Sequence, residues 1–258
     1  MRLEIILLGI IQGLSEWLPI SSTGHLKLAE FFLGLKLPLL FDIFLHVGTL
    51  FVTIFFFRAD VQKILVALAK LDFKSKEGTL IPRIIIGSIP TAIIGFTITR
   101  LLENVFHEIR FLAFTFIVSG LFVYFSKMGK CRRNEIDYKS AIIIGVVQGF
   151  SIIPGLSRSG LTIAVALMLG VKREEAFKFS FILSIPAIIG ALILTFITQF
   201  DALLATKIEL LDLLFGTLTA ALVGYASLRF LSKFLHKFHL FAFYSLSLGF
   251  LLTLLSLH

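Results

Sequence analysis

Long apolar stretches constrain the fold of this chain more than any other feature of its sequence. A bilayer crossing takes about 20 predominantly apolar residues. Six stretches are suited to cross: 39–57, 80–99, 111–126, 177–197, 211–227 and 240–257. Of the 258 residues, 57% are hydrophobic and 16% are charged, whereas soluble domains average about 25% charged residues. The sequence therefore predicts an all-α polytopic membrane protein, with residues 1–258 forming a single integral membrane domain.

Two further apolar regions, 3–35 and 141–171, are interrupted by glycine, proline, serine and charged residues. The interruptions read QGLSEWLPISSTGH in the first region and QGFSIIPGLSRSG in the second. Irregular backbone cannot satisfy its polar groups in lipid, so it occurs at membrane depth only where protein or a water-filled cavity surrounds it. We therefore expect each region to form a helix, a break and a second helix, buried within the protein.

The net charge of +8 comes from lysines and arginines that cluster between the apolar runs. They do not line one face with interleaved aromatic residues, so nucleic acid is not an expected partner. Cytoplasmic loops of membrane proteins are enriched in lysine and arginine. The clusters at 58–76, 127–139, 172–178 and 229–237 can all be cytoplasmic if the two broken regions enter the membrane from opposite faces. The expected architecture is six transmembrane helices plus two opposed re-entrant helix hairpins, with both termini outside.

An internal repeat independently supports this arrangement. The segment GIIQGLS at 9–15 recurs as GVVQGFS at 145–151, which is 136 residues later. After a one-residue slip, the same offset pairs Ser21 with Ser157 and Gly24 with Gly160. The halves, approximately 1–126 and 139–258, are thus predicted to form an inverted-topology repeat. Such repeats place a binding site near the membrane midplane between broken helices.

Polar residues before the first break are the first candidates for a functional site. Gln12 and Glu16 are four residues apart and therefore share one helix face. Glu16 either lies at the water interface beside Trp17 or is functional, and an ionisable group inside a membrane segment favours function. Asp42 and His46 have the same spacing, and they either line the same cavity or face water.

Both breaks contain serine and glycine at predicted helix starts, where free backbone N–H groups favour anions. The hydroxyl groups either satisfy local backbone groups or bind an anion, and the presence of two such breaks favours anion binding. Arg158 stays charged when buried and needs an anionic partner, which is either Glu16 or a phosphate group. His25 lies beside Ser21, Ser22 and Thr23, as expected for a base next to a nucleophile.

The motifs QGLSEWLPISSTGHL and PGLSRSGLT together resemble the paired signatures of the bacterial undecaprenyl-diphosphate phosphatase family, which confers bacitracin resistance. The resemblance implies a multi-pass enzyme of the bacterial inner membrane with a site that opens to the extracytoplasmic side. Its implied substrate is undecaprenyl diphosphate, which loses one phosphate to give undecaprenyl phosphate, the lipid carrier for peptidoglycan. A divalent cation, Mg²⁺ or Ca²⁺, is implied as the cofactor.

The resemblance also assigns roles to individual residues of both motifs. The implied site residues are Gln12, Glu16, Ser21, Ser22, His25, Ser157, Arg158, Ser159 and Thr162. Many family members have glutamate at the position of Gln12, so this chain has one carboxylate fewer for a metal, and we expect Glu16 to be the metal ligand.

The resulting hypothesis is that Ser22 attacks the terminal phosphorus while His25 takes its proton. Glu16 holds the cation or orients His25, and Arg158 and the 157–160 backbone, including Gly160, hold the phosphate. In a competing version, water attacks directly and the serines only bind. An alternative function is a lipid-phosphate flippase, although transport needs no nucleophile beside a base. The oligomeric state stays open, a homodimer included.

Overall fold

The computed structural model describes residues 2–34, 39–102, 108–200 and 209–257. Within these ranges the chain is helical and contains no strand beyond one isolated bridge between Arg133 and Val171. The α-helices are α1 (Arg2–Trp17), α2 (Ser22–Leu33), α3 (Leu39–Phe56), α4 (Arg58–Ala69), α5 (Leu80–Leu102), α6 (Ile109–Phe125), α7 (Tyr138–Phe150), α8 (Arg158–Met168), α9 (Arg173–Thr198), α10 (Leu210–Phe234) and α11 (Phe241–Leu255).

Four helical segments of the described chain are long and apolar enough to cross a membrane: Leu80–Arg100, Ile109–Met128, Arg173–Thr198 and Leu210–Leu255. A fifth candidate is the pair Leu40–Phe56 and Arg58–Ala69, which is bent by 81°. The all-α class and the multi-pass character predicted from the apolar runs are confirmed.

Three segments assigned to loops from their charge are helical instead. Part of 58–76 forms α4, and most of 172–178 forms the first turns of α9. Helix α10 continues beyond the predicted end of its apolar run into the loop 229–237. In α10, Leu228 and Leu231 are fully buried while Arg229 is exposed. The helix therefore continues because one face stays apolar, which the positive charges of this segment conceal.

The two broken regions form helix–break–helix units with closely similar helix starts. In the first unit, α1–α2, the Ser21 hydroxyl accepts a hydrogen bond from the Gly24 amide at 3.2 Å. In the second unit, α7–α8, the Ser157 hydroxyl accepts from the Gly160 amide at 3.1 Å. These side-chain caps satisfy backbone N–H groups that have no partner inside the helix. They occur at residues that the 136-residue offset pairs.

Each unit packs its first helix against a long helix from the other half of the chain, α1 against α10 and α7 against α5. The contacts are close enough to require glycine. A Cβ atom added to Gly9 would lie 2.8 Å from the Gly216 carbonyl oxygen, and one added to Gly145 would lie 2.0 Å from that of Gly87. Gly9 and Gly145 are themselves paired by the offset, and small residues of this kind permit close helix packing in membranes.

The two breaks meet each other inside the molecule. The Gly155 amide donates to the Ser21 hydroxyl at 3.1 Å, and the Ser159 hydroxyl donates to the Leu18 carbonyl at 3.3 Å. The fully buried rings of Trp17 and Phe181 lie beside this contact, with centroids 5.5 Å apart. The ends of α1 and the starts of α2 and α8 are thereby brought to one buried location.

Candidate active site

Glu16 is the centre of a buried polar cluster that joins the two breaks. Its Oε1 accepts a hydrogen bond from Arg158 Nη2 at 2.7 Å. Its Oε2 accepts from the Ser22 hydroxyl at 2.6 Å and from Gln12 Nε2 at 3.3 Å. Only 8% of the residue is exposed, so the charge of its carboxylate depends on these donors for compensation. Four residues singled out from the sequence are thus in direct contact.

Ser22 is the first residue of α2 and follows a residue with unusual backbone geometry. Ser21 has φ 71° and ψ 103°, a left-handed conformation that costs a non-glycine residue about 1–3 kcal/mol. The Ser21 hydroxyl accepts from the amides of Gly24 and Gly155, and its carbonyl accepts from His25 Nδ1 at 2.6 Å. These bonds hold the turn that directs the Ser22 hydroxyl toward Glu16.

His25 lies next to the serines but does not contact the Ser22 hydroxyl. Its Nδ1 bonds the Ser21 carbonyl, and its Nε2 lies 2.7 Å from the Tyr244 hydroxyl. The ring bonds the carbonyl four residues before it because helical side chains point toward the helix N-terminus. The structure therefore shows no hydrogen bond between Ser22 and His25, and Glu16 accepts the hydrogen bond of the Ser22 hydroxyl instead.

Arg158 is the first residue of α8, and its guanidinium lies near two aromatic rings. It lies 5.8 Å from the centroid of Trp17 and 5.6 Å from that of Phe181, within the range of cation–π attraction. Its Nη1 is buried and has no hydrogen-bond partner among the described residues. A buried donor that lacks a partner is costly, so this position favours an anionic ligand beside Glu16.

Gln12 and His46 extend the cluster along α1 and α3. Gln12 is fully buried, and its Nε2 lies 3.3 Å from His46 Nδ1 as well as 3.3 Å from Glu16 Oε2. His46 Nε2 in turn lies 3.9 Å from Asp42 Oδ1, whose side chain is 40% exposed. The sequence left open whether Asp42 and His46 line the site. His46 belongs to the cluster, and Asp42 lies at its exposed edge.

The remaining serine and threonine side chains mainly hold the second break together. The Ser157 hydroxyl lies 3.3 Å from that of Ser159. Thr162 donates to the Arg158 carbonyl at 2.7 Å and lies 2.5 Å from the Ser180 hydroxyl. Thr162 is fully buried and supports α8 in this way, which fits the local-backbone alternative.

Two further candidates from the sequence lie on helices that begin at the breaks. Thr23 is partly exposed, and its hydroxyl lies 3.4 Å from that of Ser21. Gly160 provides the amide that Ser157 caps, and a Cβ at this position would lie 3.2 Å from Pro19. Gly160 therefore permits the close approach of the second break to the first.

The donor set for a divalent cation is small. Among the described residues, no group of three or more histidine, cysteine, aspartate or glutamate side chains could hold a metal ion. However, Gln12 Oε1 is buried and without a hydrogen-bond partner in the described part of the chain, and it belongs to the same cluster as the Glu16 carboxylate. Mg²⁺ typically binds one or two carboxylates together with substrate phosphates. These residues therefore fit a cation that is shared with a phosphate ligand.

Comparison with known proteins matches residues 5–251 to the family model described as "Bacitracin resistance protein BacA". The chain belongs to the BacA family. Its relatives include Undecaprenyl-diphosphatase 3 of Bacillus cereus, which is 39% identical over 259 residues, or 98% of this chain and 96% of the relative. The Undecaprenyl-diphosphatase of Carboxydothermus hydrogenoformans is 40% identical over 255 residues, or 95% of this chain and 94% of the relative. The family predicted from the paired motifs is confirmed.

The BacA match covers both breaks and extends beyond Tyr244. Sequence reasoning did not single out Tyr244, because its contact with His25 spans 219 residues. A phenol in an apolar run has no spacing signal of its own. Only the repeat, which implies that helices of one half pack on the other, could have suggested a residue of α11 near the first break.

Proposed function

We propose that this chain is an undecaprenyl-diphosphatase, which hydrolyses undecaprenyl diphosphate to undecaprenyl phosphate and inorganic phosphate. The BacA family and the names of the relatives support this function. The observation that carries it is the 2.6 Å hydrogen bond from the Ser22 hydroxyl to Glu16, with Arg158 on the other carboxylate oxygen. A nucleophile, its base and a phosphate-binding cation are thus in contact. The product returns the lipid carrier to cell-wall synthesis.

In the first step, the Ser22 oxygen attacks the terminal phosphorus and its proton passes to Glu16 Oε2. The bond between that phosphorus and the bridging oxygen breaks, and undecaprenyl phosphate leaves with the bonding electron pair. Glu16 replaces His25 as the proposed base because it already accepts the Ser22 hydrogen bond. A base within hydrogen-bond reach of its nucleophile is the arrangement that covalent catalysis requires.

In the second step, a water oxygen attacks the phosphorus of the phosphoserine and the bond between phosphorus and the Ser22 oxygen breaks. The Ser22 oxygen takes back the proton that Glu16 received in the first step, and inorganic phosphate leaves with the protons of the water. The competing version, in which water attacks the diphosphate directly, uses the same residues, with Glu16 activating water and Ser22 only binding. A phosphorylated Ser22 exists only in the covalent version, so trapping it distinguishes the two.

Arg158 is proposed to bind the terminal phosphate and the charge that develops on its oxygens. Phosphoryl transfer depends mainly on positioning and electrostatic stabilisation. Arg158 Nη1 is a buried donor without a hydrogen-bond partner among the described residues, and Nη2 is the donor that Glu16 would share with an incoming phosphate. The planar guanidinium suits this exchange because it can contact two oxygens at once.

Gln12 Oε1 and Glu16 are proposed to hold Mg²⁺ or Ca²⁺ together with the diphosphate. When bound, the cation neutralises phosphate charge. The support is the buried Gln12 oxygen, which has no hydrogen-bond partner in the part of the chain that the structure describes. The amide is oriented by its nitrogen, which contacts both His46 Nδ1 and Glu16 Oε2.

We further propose six crossings and two re-entrant hairpins in a bacterial inner membrane, with the site open to the extracytoplasmic side. The segment Leu210–Leu255 contains 46 residues and would span about 69 Å as one straight helix, which is more than twice the roughly 30 Å hydrocarbon core. It is interrupted at Leu235–Leu240, where Lys237 has non-helical angles. This break supports two crossings, α10 and α11, with positively charged residues between them.

Phosphate release in detergent micelles tests the function, because no membrane is available to be crossed. The purified protein with Mg²⁺ is expected to release one phosphate per undecaprenyl diphosphate. A flippase would release none under these conditions but would move the lipid across vesicle membranes. Absence of phosphate release together with protein-dependent translocation would contradict the proposed activity.

A further inference from the structure

A path of hydrogen bonds connects α11, in the second half of the chain, to the residue before Ser22. The Tyr244 hydroxyl lies 2.7 Å from His25 Nε2, and His25 Nδ1 lies 2.6 Å from the Ser21 carbonyl oxygen. The rings of Tyr244 and His25 are also stacked, with centroids 5.6 Å apart and planes inclined by 18°. The rings of His25 and Phe116 form an edge-to-face pair, with centroids 5.4 Å apart. His25 is thereby held through both ring nitrogens and by two aromatic neighbours.

The carbonyl partner determines which His25 nitrogen carries the proton. A carbonyl oxygen only accepts hydrogen bonds, so Nδ1 must donate. In the neutral ring Nε2 is then the acceptor, and the Tyr244 hydroxyl donates to it. The Ser21 carbonyl therefore selects the tautomer, and Tyr244 supports it by donating to Nε2.

The Ser21 carbonyl belongs to the strained residue of the site. Ser21 adopts φ 71°, which the corresponding residue of the second unit, Ser157, avoids with φ −81°. Such a conformation persists only where the surroundings over-determine it. The bond from His25 Nδ1 is one of those restraints, and the peptide group it holds is the one that leads into Ser22.

We propose that Tyr244 and His25 are positioning residues that hold Ser21 in its left-handed conformation and so direct the Ser22 hydroxyl at Glu16. This inference rests on the proposed function, in which Ser22 is the nucleophile. It assigns His25 a role different from proton transfer, because neither of its nitrogens faces Ser22. It also assigns a role in the reaction to Tyr244, a residue of the opposite half.

Asparagine at position 25 separates the two roles of His25. Its side-chain amide nitrogen occupies nearly the place of Nδ1 and can donate to the Ser21 carbonyl, but an amide cannot take a proton at neutral pH. His25→Asn should therefore keep at least about a tenth of the wild-type kcat. His25→Leu, which has similar size and no donor, should lose about 100-fold, equivalent to two or more hydrogen bonds.

Tyrosine 244 is tested by removing only its hydroxyl group. Tyr244→Phe keeps the stacked ring and should lower kcat about fivefold, with KM and the thermal unfolding midpoint nearly unchanged. Added to His25→Asn, the same change should have almost no effect, because asparagine presents nothing at the Nε2 position. The matched control is Tyr138→Phe at the start of α7, since Tyr138 is 53% exposed and Tyr244 is 47% exposed.

The experiment measures phosphate release from undecaprenyl diphosphate by the full-length protein in detergent with Mg²⁺. Activity of folded His25→Asn as low as that of His25→Leu would overturn the positioning role and restore His25 as a proton carrier. Tyr244→Phe indistinguishable from Tyr138→Phe would overturn the role of Tyr244, even if the position-25 variants fail to fold. Absence of phosphate release by the wild-type protein would instead contradict the proposed function itself.

Discussion

The two helix–break–helix units, α1–α2 and α7–α8, have similar helix caps. They differ at residues before and after each cap residue. The capping hydrogen bonds to the Ser21 and Ser157 hydroxyls are nearly the same length, at 3.2 and 3.1 Å. The first residue of α2 is Ser22 and that of α8 is Arg158, and these two residues are 136 positions apart. The repeat therefore provides one backbone position twice. In the proposed mechanism, one unit uses this position for a nucleophile and the other for a cation.

A second difference explains why the units are not interchangeable. Glu16 in the first unit corresponds to Ile152 in the second, and Ser21 has φ 71° where Ser157 has φ −81°. The unit that carries the carboxylate also carries the strained turn. The repeated scaffold thus places the side chains of both units approximately. In the proposed mechanism, local strain and hydrogen bonds in one copy set the final orientation of the reacting group.

Among substitutions at residues that differ between the units, replacement of Glu16 by glutamine should lower the activity most. Glu16→Gln keeps the shape but cannot take the Ser22 proton, and loss of a general base typically costs 10²- to 10⁴-fold. We expect kcat to fall about 10³-fold in phosphate release assays. The matched variant is Ile152→Gln at the corresponding position, which should stay within about threefold of wild type; equal losses in both variants would mean that the units share the chemistry.

Arg158→Lys should have the next largest effect. Lysine keeps the positive charge but loses the planar fork, which can contact two oxygens at once. The loss of one aligned donor to the transition state predicts a fall of about 100-fold in kcat/KM. Activity near that of wild type would show that Arg158 is only a counter-ion for Glu16.

The buried glutamines of the two units offer a smaller and more selective test. Gln12 contacts Glu16 and His46, whereas Gln148, its counterpart, lies 3.4 Å from both Thr91 Oγ1 and the Leu183 carbonyl. Gln12→Ala should lower kcat about tenfold and raise the Mg²⁺ concentration for half-maximal activity, because hydrogen bonds to charged groups are stronger than average. Gln148→Ala should change only the thermal unfolding midpoint. A shift in the Mg²⁺ dependence of Gln148→Ala would contradict this division.

Individual residues of the two units show which features of the candidate site can be predicted from the sequence. The breaks, the serine caps and the contact of Glu16 with Arg158 could be anticipated, because helix starts and buried charges follow strict local rules. The hydrogen-bond partner of the Ser22 hydroxyl could not be anticipated. Spacing along one helix indicates a shared face, yet the left-handed turn at Ser21 directs Ser22 toward α1 and leaves His25 bonded to Ser21.

Contacts between helices that are distant in the chain also could not be predicted from the sequence. His46 on α3 and Tyr244 on α11 are polar groups in apolar runs, and their importance depends on which helix packs against the breaks. The hydropathy of α3 and α11 fixes their burial in the membrane but not their neighbours. The extent of α10 was misjudged for a related reason, since charge on one face conceals an apolar face opposite.

The smallest effect is predicted for stability at low pH, through Asp137 at the start of the second unit. Hydrogen bonds from Ser140, with a lesser contribution from Arg133, lower the pKa of Asp137 from 3.8 to about 2. Because the pKa is lower in the folded state, this carboxylate stabilises the fold above about pH 4, and the contribution is lost as the pH falls toward 2. Asp137→Asn keeps a good helix cap. Its thermal unfolding midpoint should fall less than that of wild type between pH 4 and 2; parallel curves would contradict the assignment.

Attack by Ser22 on the terminal phosphorus is the central claim, and a single-turnover reaction tests it directly. The full-length protein is mixed with undecaprenyl diphosphate labelled in its terminal phosphate, quenched in acid and digested for mass spectrometry. We expect label on Ser22 before free phosphate appears, and a turnover in Ser22→Ala at least 10³-fold below that of the control Ser88→Ala. Ser88 lies on α5, where its hydroxyl donates to the Ile84 carbonyl at 2.8 Å. Phosphate release without labelled Ser22, with Ser22→Ala as active as Ser88→Ala, would contradict the account.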